Sequence, residues 1–198
     1  MSAQSGSFDA FVFGRRGLVL AIPAVALAVL GKPSAFSIAV GLPIAFVGEA
    51  IRAWAVGYSG VTTRSSTLEA PALVTAGPYA YVRNPLYVGN FITAAGFALA
   101  FTGANSTAAR AALIAGSLGV MLGVYAVIVP QEEAFLRTRF GAAYDEYVVR
   151  VPRVFPALEP AAGESGSYDP SVIGKAESRT FITLGAMLGV LALKARQA

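Results

Sequence analysis

The chain has 198 residues, 56% hydrophobic and only 13% charged, with a mean hydropathy of +0.63. Soluble domains carry about 25% charged residues, so this composition argues against a soluble enzyme and for helices that cross a bilayer. Cysteine and histidine are both absent, which excludes disulfides, Cys/His metal sites and histidine acid–base chemistry; the net charge of +4 follows from membrane topology and calls for no nucleic acid.

Five apolar segments follow one another: 17–31, 35–58, 85–101, 111–129 and 181–193. At roughly 1.5 Å rise per residue the three middle ones are about long enough for a bilayer core of roughly 30 Å. The first and last are short and need their flanks or a thin bilayer. Arg15-Arg16 ahead of the first segment and Pro33-Ser34-Ala35 behind it also fit a signal peptide. Lys32 in the cleavage region and the second apolar run that follows at once favour a retained helix. Small residues four apart, Ala112/Gly116, Gly119/Gly123 and Gly185/Gly189, either let helix backbones approach closely or reflect the glycine enrichment of membrane helices.

With the N-terminus inside, the inner segments hold Arg15, Arg16, Arg64, Arg83, Arg137, Arg139, Arg150, Arg153, Lys175 and Arg179. The outer ones hold Lys32, Arg110, Lys194 and Arg196. The positive-inside rule then puts the polar segments around Arg83 and Glu132 on the cytoplasmic face, most simply of a plasma (inner) membrane. The expected fold is all-α: a polytopic membrane helix bundle, one domain over 1–198, with about five transmembrane helices. Residues 131–156 form a cytoplasmic catalytic segment, and the Gly-, Ser-, Pro- and acid-rich 157–178 a surface linker to the last helix.

The segments at 85–101 and 111–129 run out and back, so the polar stretch Gly77–Gly89 and the one beginning at Glu132-Glu133 meet at one face. In Arg83-Asn84-Pro85, Asn84 precedes a proline and should be extended, capping a helix that begins at Pro85. The segment either stops at that role or binds an anion through free amides at Leu86 and Tyr87, with Arg83 beside them. Glu132 and Glu133 follow Pro130 and read as the first turn of a new helix, where acids favour the dipole. Alternatively one of them neutralises a ligand cation, and the two walls together suit a zwitterionic amino acid. Tyr79, Tyr87, Tyr144 and Tyr147 either line that cavity with their ring faces or form an interfacial belt. Phe140-Gly141 reads as a helix end, Tyr144-Asp145-Glu146-Tyr147 as a short helix ending near Val151-Pro152, and Arg150 or Arg153 as a contact for anions or headgroups. Glu49 and Arg52 share a helix face and can pair, as a structural contact or towards substrate.

These residues resemble the isoprenylcysteine carboxyl methyltransferase and phospholipid methyltransferase family of integral membrane enzymes. The matching words are Gly48-x-x-x-Arg52-x-Trp54-Ala55, Leu73-Val74-x-x-Gly77-Pro78-Tyr79, Arg83-Asn84-Pro85-x-Tyr87-x-Gly89, Glu132-Glu133-x-x-Leu136, Phe140-Gly141-x-x-Tyr144-x-x-Tyr147 and Val151-Pro152-Arg153. The resemblance implies a cytoplasmic-side pocket for S-adenosylmethionine, with Leu73, Val74, Gly77 and Tyr79 near the nucleoside side. Asn84, Pro85, Leu86, Tyr87 and Glu132 would surround the cofactor's amino-acid portion, Arg83 and Glu133 would be catalytic, and a lipid or lipophilic acceptor would enter from the bilayer. The family commonly has His where this chain has Asn84, and the carboxyl-methylating branch has Arg where this chain has Ile128. Without histidine, an acceptor amine arrives neutral or gives its proton to Glu133, a tyrosine or water. Rival readings are a membrane sterol-type reductase that uses NADPH and a non-catalytic membrane scaffold of the same fold.

Overall fold

A computed structural model describes residues 3–60, 70–163 and 165–197, with the side chains of 3–14 and of Arg16 outside that description; Arg64 of the inner basic set also lies outside the described residues. Among the described residues all regular structure is helical. In order these are α1 (Ala3–Leu30), α2 (Ala35–Ser59), a 3₁₀ turn (Gly77–Ala80), α3 (Pro85–Phe101), α4 (Thr107–Phe140), α5 (Ala142–Arg150), a second 3₁₀ turn (Pro170–Val172), α6 (Ile173–Ala176) and α7 (Ser178–Ala195). The five apolar segments all fall on helices. Of these, α2, α4 and α7 are long and apolar enough to cross a membrane, while Gly17–Leu30 and Pro85–Phe101 are shorter apolar helices.

The main departure from expectation is at Pro130. It lies inside α4, which runs unbroken to Phe140, so Glu132 and Glu133 belong to the late part of a long helix rather than to the first turn of a new one. A proline inside a helix removes one backbone hydrogen bond, but helices in apolar surroundings tolerate it, as they do at Pro23 in α1 and Pro43 in α2. The helix does end at Phe140-Gly141, where Gly141 takes φ +54 and joins α4 to α5.

The described chain divides into two compact units. The first comprises Met1–Gly48, Phe91–Ile128 and Phe181–Ala198. Its core is Leu27, Ala45, Phe97, Ala98, Ala100, Phe101, Met187 and Leu191. Here α2 and α3 touch backbone to backbone: a Cβ on Gly41 would lie 2.4 Å from Gly96 O, and one on Gly96 2.3 Å from Ala45 N. Gly116, Gly119, Gly123, Gly185 and Gly189 meet nothing at that range, so the small-residue pairs on α4 and α7 do not mark the close approach. Ser37 Oγ donates to Ala100 O (2.9 Å), and Lys194 Nζ donates to Gly31 O (2.9 Å).

The second unit comprises Glu49–Asn90 and Val129–Thr180. Its core gathers Tyr144, Tyr147 and Val151, with Leu73, Leu136, Phe140, Val148 and Ala161 packed around them. The stretch 157–178, expected as a surface linker, is tied down along its length. Ala157 N donates to Tyr81 O (2.9 Å), Ala161 N to Ala80 O (3.0 Å), Thr75 N to Ser165 O (2.8 Å) and Asp169 N to Gly57 O (2.8 Å). A Cβ at Gly57 would sit 2.2 Å from the Tyr168 ring, so glycine there makes room for the strap.

Candidate functional site

The site is built in the second unit from two short pieces of chain. Gly77, at φ +60, opens the 3₁₀ turn with Pro78 behind it, and the chain reaches α3 through Arg83-Asn84-Pro85. Pro85 takes the first helical position as expected, and the amides of Tyr87 and Val88 both donate to Asn84 O (3.1 Å each). The Tyr87 amide is therefore spent within the helix. Asn84 thus stands where a residue capping α3 stands, and its side-chain amide nitrogen donates to Glu133 Oε1 (3.3 Å) and Arg153 O (3.2 Å).

Successive residues of a helix point about 100° apart, and the two glutamates of α4 accordingly have different partners. Glu133, 7% exposed, accepts from Arg83 Nε (3.2 Å) and from Arg153 Nε (3.0 Å) and Nη2 as well as from Asn84. Arg83 Nη1 donates to Val148 O (3.0 Å) and Val151 O (3.3 Å). Two of the three Arg83 nitrogens thus serve the protein, and the bidentate anion wall expected of this residue is turned inward to a buried carboxylate. Glu132 instead accepts from the Tyr87 hydroxyl (2.7 Å), in the first turn of α3.

The tyrosines complete the picture. Tyr147 OH donates to Tyr79 O (2.8 Å). Burial pushes the Tyr79 hydroxyl up to about 12 against a hydrogen bond from Ser59, and the Glu132 charge pushes in the same direction. Burial, and then the Glu133 charge, also raises Tyr144 to about 12, and burial raises Tyr147 further. All three stay neutral at physiological pH, which removes a phenolate base. Around the site, two buried side-chain groups find no hydrogen-bond partner among the described residues: the Tyr144 hydroxyl and the side-chain nitrogen of Gln131, the residue before Glu132.

The structure therefore joins Arg83, Asn84 and Glu133 directly, joins Tyr87 with Glu132, and brings Tyr79 within reach of Glu132's charge. Pro85 is fully buried and Leu86 half-buried. Leu73 packs on the Tyr144–Tyr147 core, and Val74 lies against Gly166. Gly77 is pressed by the Tyr58 ring, 2.2 Å from where a Cβ would stand. Ile128 is buried. Sequence reasoning undervalued Arg153, whose only signal was the closing word Val151-Pro152-Arg153. It missed Glu177 and Asn90, the partners of Arg52: Arg52 Nη2 contacts both Glu177 carboxylate oxygens (2.7 Å each) and Nη1 contacts Asn90 Oδ1. Glu49 lies farther off, 3.8 Å from Arg52 Nε.

Comparison with known proteins covers the same part of the chain. Residues 36–143 match the family described as "Phospholipid methyltransferase". The nickel-cobalt-cadmium resistance protein NccN of Alcaligenes xylosoxydans xylosoxydans is 33% identical over 125 residues, 63% of this chain and 51% of that protein. A probable protein-S-isoprenylcysteine O-methyltransferase of Oryza sativa subsp. indica is 33% identical over 124 residues, 61% of each chain. The protein-S-isoprenylcysteine O-methyltransferase of Schizosaccharomyces pombe is 38% identical over 86 residues, 43% of this chain and 34% of its own. The chain thus spans about half to three fifths of the first two of these relatives. No solved structure matches. The matched stretch carries α2, α3, α4 and both halves of the Arg83–Glu133 and Tyr87–Glu132 contacts, and on it the chain belongs to the phospholipid methyltransferase family.

Proposed function

We propose that this chain is an integral membrane methyltransferase that uses S-adenosylmethionine and modifies a lipid or lipophilic acceptor reaching it from the bilayer, at a site on the cytoplasmic face. The observation that carries the reading is the Tyr87–Glu132 hydrogen bond of 2.7 Å at the start of α3. It supports a half-buried carboxylate, with the Tyr79 and Tyr87 rings nearby, for a ligand that carries an ammonium and a sulfonium. The unpartnered Gln131 amide beside Glu132 offers a donor to a polar ligand group, so the residues present fit an amino-acid cofactor. When bound, S-adenosylmethionine supplies a methyl group on a positively charged sulfur.

In this reading Glu132 balances the cofactor's cationic groups while Tyr87 fixes the carboxylate. Leu86, Asn84 and Pro85 shape the adjoining wall, and Leu73, Val74, Gly77 and Tyr79 the nucleoside side. Arg83 and Glu133 act as positioning residues: Glu133 already accepts from three side chains. With the tyrosines neutral at physiological pH, the chain favours an acceptor that arrives without its proton, or one that gives it to water. Transfer then depends on alignment, which by itself supplies roughly 7–11 kcal/mol. The names of the rice and fission-yeast relatives support a prenylated acceptor, and the family's description a phospholipid one.

The test is incubation of purified protein and membrane lipids with methyl-labelled S-adenosylmethionine, followed by mass spectrometry of the labelled product. Label should enter a lipophilic molecule, and Glu132→Gln should weaken cofactor binding while leaving the helix content intact. Binding of NADPH in place of S-adenosylmethionine, or undiminished cofactor affinity in Glu132→Gln, refutes the reading.

A further inference from the structure

Beyond α5 the second unit carries a loop, 152–158, three of whose large apolar side chains are exposed. The loop is fixed in place. Arg83 N donates to Pro152 O (2.9 Å), Ala157 N to Tyr81 O (2.9 Å) and Asn84 Nδ2 to Arg153 O (3.2 Å). These bonds hold it beside residues 81–84, immediately before α3 begins its apolar run at Pro85. It therefore lies beside the polar entry to the apolar helix α3. From that position Val154 is 52%, Phe155 85% and Leu158 100% exposed.

A single exposed leucine needs no explanation, but three large apolar side chains within five residues on a pinned loop do. Pro152 and Pro156 restrict the backbone on either side of Val154 and Phe155, so the side chains are presented by a stiff loop rather than by a loose one. The flanking cations suit an interfacial setting as well. Arg153 stays at the polar level on Glu133 (3.0 Å), and Arg150 is held through Nη1 by Ala162 O (2.6 Å). An apolar edge backed by arginines at a helix entry point is the pattern of a segment seated between headgroups and acyl chains.

We propose that Val154, Phe155 and Leu158 insert into the headgroup–acyl boundary of the bilayer that α3 enters, as an interfacial wedge beside the candidate site. Because Arg153 directly precedes Val154, seating of the wedge also holds Arg153 against Glu133. The inference depends on the chain spanning a membrane and stands or falls independently of which reaction it catalyses.

The chain has no cysteine, so Phe155→Cys and Leu158→Cys each take a single nitroxide label. The labelled proteins are placed in vesicles of neutral and anionic phospholipid, and collisions with oxygen are compared with those of a water-soluble nickel chelate. Phe46→Cys, at a half-exposed apolar position of α2, serves as the lipid reference. The wedge requires the oxygen-to-chelate ratio at 155 and 158 to rise above that of free label in water, towards the value at 46. A water-like ratio at both positions overturns it. So does an immobilised label shielded from both reagents, which would mean a protein partner or a second copy. If either cysteine variant fails to fold, Phe155→Trp and Leu158→Trp in a Trp54→Phe background give the same decision. Quenching by acyl-brominated lipid supports the wedge, and quenching by aqueous acrylamide alone overturns it.

Discussion

Replacing Glu133 by glutamine removes one charge and keeps the side chain's shape, so the cost reads directly on the ion pairs. Three side chains donate to this carboxylate: Arg83 through Nε at 3.2 Å, Arg153 through Nε at 3.0 Å and also Nη2, and Asn84 at 3.3 Å. The Arg83 side chain is 9% exposed and that of Arg153 52%, and this difference decides the sizes. A half-exposed arginine contributes about 0–1 kcal/mol to such a pair. A buried arginine left without its counter-charge costs about 3–5 kcal/mol. The carbonyls of Val148 and Val151 still accept from Arg83, so Glu133→Gln should fall at the lower end, about 3 kcal/mol. Arg153→Ala should cost no more than about 1 kcal/mol. Arg83→Met combined with Glu133→Gln should recover part of the loss, because no buried charge then stands alone. The assay is reversible unfolding in mixed micelles followed by circular dichroism. The reasoning fails if Glu133→Gln is as stable as wild type, or if Arg153→Ala costs as much as Glu133→Gln.

Glu177→Gln should destabilise by a similar amount, about 3–5 kcal/mol, because Arg52 and Glu177 are 6% and 1% exposed; an unchanged unfolding midpoint counts against a structural role for the pair. Gly41→Val should cost about 1–3 kcal/mol or more through overpacking, since even a Cβ meets Gly96 O at 2.4 Å and Ala100 N at 2.5 Å, whereas Gly119→Ala, with open space around it, should be neutral by the same measurement. Tyr144→Phe removes a buried hydroxyl that has no partner and should be neutral or stabilising at pH 7. The folded-state value of Tyr144 is raised to about 12, so the unfolded chain ionises first and stability falls as pH climbs from about 10 towards 12, by at most ~1.4 kcal/mol per pH unit for this group. The phenylalanine variant should lose stability less steeply over that window, and an identical alkaline slope would discount the burial of this hydroxyl.

How much of this was legible beforehand depended on whether the signal was local. The apolar runs marked where the helices lie, Pro85 marked the first residue of α3, and Gly141 marked the break before α5 through a φ that favours glycine. The two polar segments also meet as the out-and-back hairpin implied, with Arg83 bonded to Glu133 across 50 residues of chain. The close backbone approach was not legible. The glycine pairs on α4 and α7 look the same in sequence as the Gly41–Ala45 and Gly96–Ala100 pairs on α2 and α3, and only the latter face another helix at short range. Glu177 lay in a stretch whose composition reads as a linker, and its partner Arg52 stands 125 residues away.

Pro130 matters most for what Glu132 and Glu133 can do. Had the chain begun a new helix after it, both carboxylates would sit in a first turn and compete for the same free amides and dipole. An unbroken α4 gives them no such amides, because each backbone N–H in mid-helix already has a carbonyl four residues back and Pro130 has no N–H at all. Their negative charge must then be met by side chains, and the helical turn of about 100° sends them to different ones: Glu133 to Arg83 and Arg153, Glu132 to the Tyr87 hydroxyl. Glu133 is thus met by two arginines and an amide, whereas Glu132 has the Tyr87 hydroxyl among its partners. The division of labour between adjacent glutamates therefore follows from the continuity of one helix through a proline, and inserting a single alanine between Gln131 and Glu132 should turn Glu132 onto the face Glu133 now holds and carry Glu133 about 100° beyond it, abolishing in unfolding and cofactor-binding measurements both the stability provided by one and the affinity proposed for the other.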